Sequence, residues 1–345
     1  MKGVVFPGDY TVEIATVDDP TPGPRDVIVE IRASGMCGTD LKFYHDGMGA
    51  IASRQPGPIV MGHEPTGVIV EVGSAVSSTE ARVGQRVMIH HYEGCGICDP
   101  CRSGWTQMCL PGASAYGLTA NGAHAAYMRA HCTSIVQLPD ELSFEAGAAL
   151  SCGTSTAWGA LKRLDLSGDQ TVAVFGQGPV GLSATLLAAA MGARVIAVDL
   201  SDERLERARV FGAALTINAS TSGDVVEQLR SVTDGLGVDA TIEASGSAIA
   251  RRQSVQGVRS WGRAAYVGEG GDVSLEVGPD LLRRQVTLHG CWTFSHQEQA
   301  ACARFIVSRN LDLDALFTER WSLGDAASAY EQFDRQSSGK AVFLM

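Results

Sequence analysis

Residues 171–181 read TVAVFGQGPVG. A short apolar run of strand-forming residues enters a turn where Gly176, Gly178 and Gly181 stand in G-x-G-x-x-G spacing. The chain then continues as VGLSATLLAAAMGA, a helix-forming stretch. A second apolar run, RVIAVDL, follows and carries Asp199 18 residues after Gly181. Strand, glycine turn, helix, strand and acidic residue, in that order, make a dinucleotide-binding fingerprint. The first glycine permits the tight turn, the second lets backbone approach a pyrophosphate, and the third lets helix pack on strand. The helix that opens at Pro179 then presents its N-terminus to the phosphates. A carboxylate at Asp199 accepts hydrogen bonds from the adenosine ribose and repels a 2′-phosphate, which favours NAD over NADP. Arg204 is placed either to flank the adenine or to be an exposed helix residue.

Working outward, the charged helical segment DERLERARVFGA and the runs VDATIEASG, GRAAYVGEG and VTLHGCW continue the alternation. They predict a doubly wound parallel sheet over about 154–294. Residues 170–193 hold no charge and are long enough to cross a bilayer. The glycines and Pro179 break them into strand, turn and helix, so no membrane span is expected. Upstream, to about residue 153, short runs such as VIVEIRASG, GVIVEVGS and GQRVMIHHY are bounded by Gly, Pro or Asp and predict a barrel-like antiparallel domain. From about 295 the chain is expected to return to that first domain and to end in the strand SGKAVFLM. Two domains suit 345 residues. The net charge of −11 argues against nucleic-acid binding. The opening MKGVVFPGDY lacks a basic segment followed by an apolar one, so a cytoplasmic protein is expected.

Nine cysteines are unusual in such a chain. Cys95, Cys98, Cys101 and Cys109 read C-x2-C-x2-C-x7-C. Four thiolates so spaced can close a tetrahedron around zinc with no position left for water, which is a structural site stapling a lobe over about 90–112. The weaker reading is a redox or disulfide cluster. Cys37 in SGMCGTDL, His63 and Glu64 in VMGHEPTG, and Cys152 in LSCGTSTAW remain. Each alone reads as an ordinary packed residue. Cys132, Cys291 and Cys302 are read as buried cysteines without a role.

Taken together, G-H-E, C-G-T-D, the cysteine quartet and the glycine turn stand in the order found in the zinc-containing alcohol dehydrogenases of the medium-chain dehydrogenase/reductase superfamily, and the chain resembles that family over nearly its whole length. The resemblance implies an α/β protein with a GroES-like β-barrel catalytic domain and a Rossmann cofactor domain. It implies two zinc ions per chain, one structural and one catalytic, and NAD as cofactor. Cys37, His63 and Cys152 are then ligands of the catalytic zinc, with Glu64 behind the metal as a transient ligand and Asp40 orienting His63. The metal polarises the substrate oxygen, and Thr39 takes the hydroxyl proton and relays it through the cofactor ribose. Thr156 and Val180 resemble nicotinamide contacts. The backbone at Val267, Gly268, Cys291, Trp292 and Thr293 resembles the part that fixes the carboxamide. The resemblance also implies a small alcohol or carbonyl substrate and a homotetramer, with a dimer as the other form.

The chain departs from the pattern in places. Lys42 stands where many members end the proton relay with a histidine, and His45 lies nearby as a substitute. Gly38 and Phe343 occupy positions that are basic in many members, so unexceptional NAD affinity is expected. His91 stands at a pocket-lining position and Trp292 at its nicotinamide end. An exposed His91 favours a substrate with a second polar group, and a packed one carries no such meaning. The rival readings are a polyol or sugar-alcohol dehydrogenase, which commonly has Glu where Cys152 stands, a threonine dehydrogenase, disfavoured on the same residue, an NADP-dependent aldehyde reductase, and a non-catalytic zinc- and NAD-binding regulator. Lys42 is read as a cofactor contact with the relay open to solvent. Lys42→Met should therefore leave the pH–rate profile unchanged, and loss of its alkaline limb would overturn that assignment.

Overall fold

The computed structural model describes residues 1–47, 58–335 and 339–345. The chain divides into two units, Met1–Ser155 with Phe294–Met345, and Thr156–Thr293.

In the second unit the strand Thr171–Phe175 lies inside a six-stranded sheet. Its order is Leu215–Asn218, Arg194–Asp199, Thr171–Phe175, Val238–Glu243, Val258–Tyr266 and Thr287–Gly290, with every neighbouring pair parallel. The central strands are buried almost throughout. Their apolar runs do not alternate because helices cover both faces of a parallel sheet. The edge strand Leu215–Asn218 is the member the sequence does not announce: it has four residues, only Ile217 fully buried. The uncharged stretch resolves into the strand Thr171–Phe175 and the helix Pro179–Ala190. Among the described residues no helix is long and apolar enough to cross a membrane.

The three glycines of the turn differ in what surrounds them. Gly176 has φ +84°, and a Cβ there would lie 2.9 Å from Cβ of Ser245. A Cβ on Gly178 would meet nothing within 4 Å. A Cβ on Gly181 would overlap the carbonyl oxygen of Gly176. Backbone conformation, an open approach and helix-on-strand contact thus each demand one glycine.

In the first unit a seven-stranded sheet runs Phe317–Trp321, Lys340–Leu344, Asp26–Gly35, Glu64–Val72, Arg86–Ile89 and Ile135–Gln137, with Tyr127–His131 also paired to Asp26–Gly35. All pairs are antiparallel except Phe317–Trp321 with Lys340–Leu344. Val27, Val29 and Ile31 alternate along one strand and pack with Ile69, Val87, Ile89 and Met128. A second cluster gathers Phe6, Met36, Tyr44, Met61, Tyr330 and Phe343. Phe343 is fully buried there, with its ring 4.8 Å from that of His124. It is a core residue of this unit.

The glycine contacts yield a prediction about stability. Gly181→Ala should destabilise the protein by about 1–3 kcal/mol, as overpacking against rigid backbone does. Gly178→Ala, in extended backbone with open space, should stay within about 0.5 kcal/mol of the parent. Denaturant unfolding of the two variants side by side checks this contrast.

Candidate active site

Cys37 precedes the helix Gly38–Asp46, and the carboxylate of Asp40 in its first turn accepts the Cys37 backbone N–H at 2.9 Å. The other oxygen of Asp40 lies 2.9 Å from Nδ1 of His63. A carboxylate on Nδ1 sets the imidazole tautomer so that Nε2 carries the free lone pair. Tyr330 donates to Asp40 at 3.3 Å, and its oxygen is 2.7 Å from Nε2 of His124, whose Nδ1 is 2.8 Å from the hydroxyl of Ser34. All of these side chains except Cys37 are buried.

Cys152 is held indirectly. The preceding residue, Ser151, donates its hydroxyl to the carbonyls of Pro65 and Gly147, and its own carbonyl lies 2.9 Å from Nδ1 of His91. Cys37, His63, Glu64 and Cys152 thereby present ligand atoms that all lie within 4.8 Å of one another. The Cys37 thiol is drawn well below its ordinary value because Cys152 donates a hydrogen bond to it, while the same bond and burial push Cys152 well up. Two sulfurs sharing a proton in this way are ready to exchange it for a cation. Burial pushes the carboxyl of Glu64 up to about 7 against the opposing pull of Lys340.

This set fits zinc. Two sulfurs, an imidazole nitrogen and a carboxylate oxygen are its preferred donors. The buried Oε1 of Glu64 at the same place has no hydrogen-bond partner, which a buried cluster tolerates poorly without a cation.

The quartet forms a second cluster: Cys95, Cys98, Cys101 and Cys109 also lie within 4.8 Å of one another. Around them run the short helix Asp99–Arg102, the turn Thr106–Met108 and the two-residue paired strands Tyr92–Glu93 and Ser114–Ala115, while Ile97, Met108 and Leu110 are exposed. A lobe with so little core of its own depends on what the four sulfurs bind. It is tied to the C-terminal segment by Gln107 and His90, both within 3.0 Å of the carbonyl of Phe294.

Other residues singled out from the sequence take varied places. Thr39 is half-buried and Lys42 exposed, one turn apart on the helix after Cys37. His45 is committed elsewhere, with Nε2 2.7 Å from Asp334 and its ring 4.6 Å from Tyr10. His91 is only 2% exposed, and its ring lies 5.3 Å from that of His63. It braces the Ser151–Cys152 turn, so the exposed polar surface considered for it is absent. Lys340, Ser151, Tyr330, His124 and Ser34 were not foreseen. Only the buried charge of Lys340 left a trace in the sequence, as a lysine opening an apolar strand.

In the second unit the glycine turn follows the C-terminal end of Thr171–Phe175, and Asp199 ends the adjacent strand. The Asp199 carboxylate accepts the backbone N–H groups of Gln177, Leu200 and Ser201. Arg204 is half-buried in the first turn of Asp202–Val210. Thr156 is buried on Gly153–Arg163. Val267 and Gly268 follow Val258–Tyr266, and their N–H groups donate to the Glu243 carbonyl, while Arg251 donates to the Gly268 carbonyl at 2.7 Å. Cys291 is buried, Trp292 is 47% exposed and Thr293 has φ +55°. Pro179, Val180 and Gly181 form the first turn of the helix after the glycine turn.

Comparison with known proteins agrees with these features. Residues 23–140 match the alcohol dehydrogenase GroES-like domain and residues 179–308 the zinc-binding dehydrogenase family. The chain is 36% identical to the zinc-type alcohol dehydrogenase-like protein YphC of Escherichia coli, covering 99% of this chain and 98% of that one. It is 31% identical to the sorbitol dehydrogenase of Bacillus subtilis, covering 96% and 93%. The solved alcohol dehydrogenase TADH from Thermus sp. ATN1 superposes with a TM-score of 0.91 at 30% identity, covering 100% and 99%. The chain belongs to the zinc-binding alcohol dehydrogenases of the medium-chain dehydrogenase/reductase superfamily. It is a zinc-dependent dehydrogenase acting on CH–OH groups.

Asp40 touches His63 without being among the clustered ligand atoms. Asp40→Asn should weaken zinc binding at this cluster by roughly 10–100-fold, the usual effect of losing such a partner, while the quartet keeps its ion. Competition with a chromogenic chelator, with circular dichroism on the same sample, distinguishes this from unfolding.

Proposed function

We propose that the protein transfers a hydride between NAD and a simple alcohol/carbonyl pair, with Cys37, His63 and Cys152 as ligands of the catalytic zinc and the cysteine quartet as the structural site. The observation that carries this reading is the ligand cluster itself, closed to within 4.8 Å and backed by Asp40 on His63. A zinc ion held there supplies Lewis acidity toward a substrate oxygen, and NAD supplies the hydride acceptor.

The chain's own residues supply the rest. Asp40 holds His63 in one tautomer, and His91 with Ser151 holds the turn that carries Cys152. Thr39, two residues after Cys37, would accept the substrate's hydroxyl proton and pass it on towards solvent. Lys42 contacts the cofactor. His45, already paired with Asp334, takes no part in that transfer.

Asp199 supports NAD. An ionised carboxylate offers about four lone-pair sites, and three backbone N–H groups already bond to it. One site is left for a ribose hydroxyl, and a 2′-phosphate would meet the negative charge of the carboxylate. The second sulfur ligand, Cys152, favours the alcohol branch over the polyol branch. The likeness to a sorbitol dehydrogenase keeps polyols as the second reading.

The test is formation of NADH or NADPH over a panel of simple, aromatic, vicinal-diol, polyol and amino alcohols, with metal analysis of the same preparation. Turnover with NAD in preference to NADP, on a monofunctional alcohol, with about two zinc ions per chain is the expected result. Polyol turnover alone would move the assignment to the second reading. Two zinc ions without any turnover would overturn catalysis on these classes.

A further inference from the structure

Lys340 opens the last strand, Lys340–Leu344, and is 2% exposed, although lysine is almost never fully buried without a partner. Its Nζ lies 2.5 Å from a carboxylate oxygen of Glu64, which is itself fully buried. The ammonium also donates to the carbonyl of Met36 at 3.1 Å, one residue before Cys37.

Sheet register explains how the two side chains meet. Val342 pairs with Gly35, and Gly35 pairs with Glu64 on the next strand. Directly paired residues share a face, as do residues two apart on one strand. Lys340, Val342, Gly35 and Glu64 therefore point to the same side across three adjacent strands. A Cβ on Gly35 would collide with the Glu64 carboxylate. Glycine there leaves the gap in which the carboxylate lies back toward the lysine.

We propose that Lys340 is the positioning residue that keeps Glu64 out of the fourth coordination position of the catalytic zinc, so that this position stays available to an exogenous oxygen or nitrogen ligand. The inference rests on the zinc reading of Cys37, His63 and Cys152. Two thiolates balance the charge of the ion. Glu64 brings one further negative charge within 4.8 Å of the other ligand atoms. The ammonium of Lys340 answers that charge at one of the Glu64 oxygens. Without it, the nearest cation for a buried carboxylate is the metal, and carboxylate oxygen is a good zinc ligand.

The experiment uses the full chain with cobalt(II) exchanged into the catalytic position and zinc kept in the quartet. Its readout is the visible cobalt spectrum during titration with imidazole, a probe for an open coordination position. The parent should show a thiolate-to-cobalt band and a spectral shift on imidazole binding. A parent without that band would overturn the zinc reading itself, separately from the role of Lys340. In Lys340→Met the starting spectrum should already be altered, and imidazole affinity should fall by roughly 10–100-fold. The double variant Lys340→Met/Glu64→Gln should regain the parent's response. A Lys340→Met variant that binds imidazole as the parent does would overturn the proposal, as would a double variant that stays unresponsive. Should Lys340→Met not fold, the double variant decides. Folded and responsive, it supports Lys340 acting through the charge of Glu64. Unfolded, it shows that the lysine serves the strand instead.

Discussion

Collecting two thiols, an imidazole and two carboxylates in a buried space costs several kcal/mol for each charge that lacks a partner. The first unit is arranged around removing that cost. Asp40 faces His63 and the Cys37 backbone, Tyr330 and His124 continue the bonding outward, and Lys340 faces Glu64. A divalent cation completes the arrangement. The ligands come from separate stretches of chain at positions 37, 63–64 and 152, so the site exists only after the sheet has formed. Asp40 and Tyr330 are held on helices and Lys340 and Ser34 on strands, while His91, His124 and Ser151 stand between elements and are fixed by burial and hydrogen bonds.

The two clusters stand in different physical situations. The quartet lies within a single short stretch, and its lobe exposes Ile97, Met108 and Leu110 in place of burying them. Its metal substitutes for a core. The ligands around His63 instead sit beside extensive packing, with Met36, Met61 and Phe343 fully buried nearby in sequence or sheet. There the fold holds the ligands, and the metal brings reactivity. A similar division applies in the second unit, where Glu243 accepts the N–H groups of Ser245 and Gly246 and Gly176 packs against Ser245. The glycine turn is thus braced by a strand it is not adjacent to in the chain.

Local signals were legible where spacing alone carries the chemistry. The quartet, the glycine turn with its flanking strands, and the alternating runs of the first unit could all be read from neighbours in the chain. The strand Leu215–Asn218 could not, because four residues at a sheet edge with only Ile217 buried leave no periodic signal. GQRVMIHHY has the look of one continuous strand, but pairing stops at Ile89 and His90 and His91 turn inward to bond to the carbonyls of Phe294 and Ser151.

The joining of Cys37, His63, Glu64 and Cys152 was readable only through resemblance, since nothing between residues 37 and 152 encodes a distance. What their neighbours do lay further out of reach. Phe343 stands at a position that many relatives make basic, yet packing carries it into the core. Lys340 looks like an ordinary strand-opening lysine until three strands in register set it against Glu64. Linear order was sufficient for the cysteine quartet, the glycine turn and the alternating strands and helices around it, because each depends on short-range spacing. Which side chains answer the buried charges depended on register and packing across the sheet, and these arise only when distant segments meet.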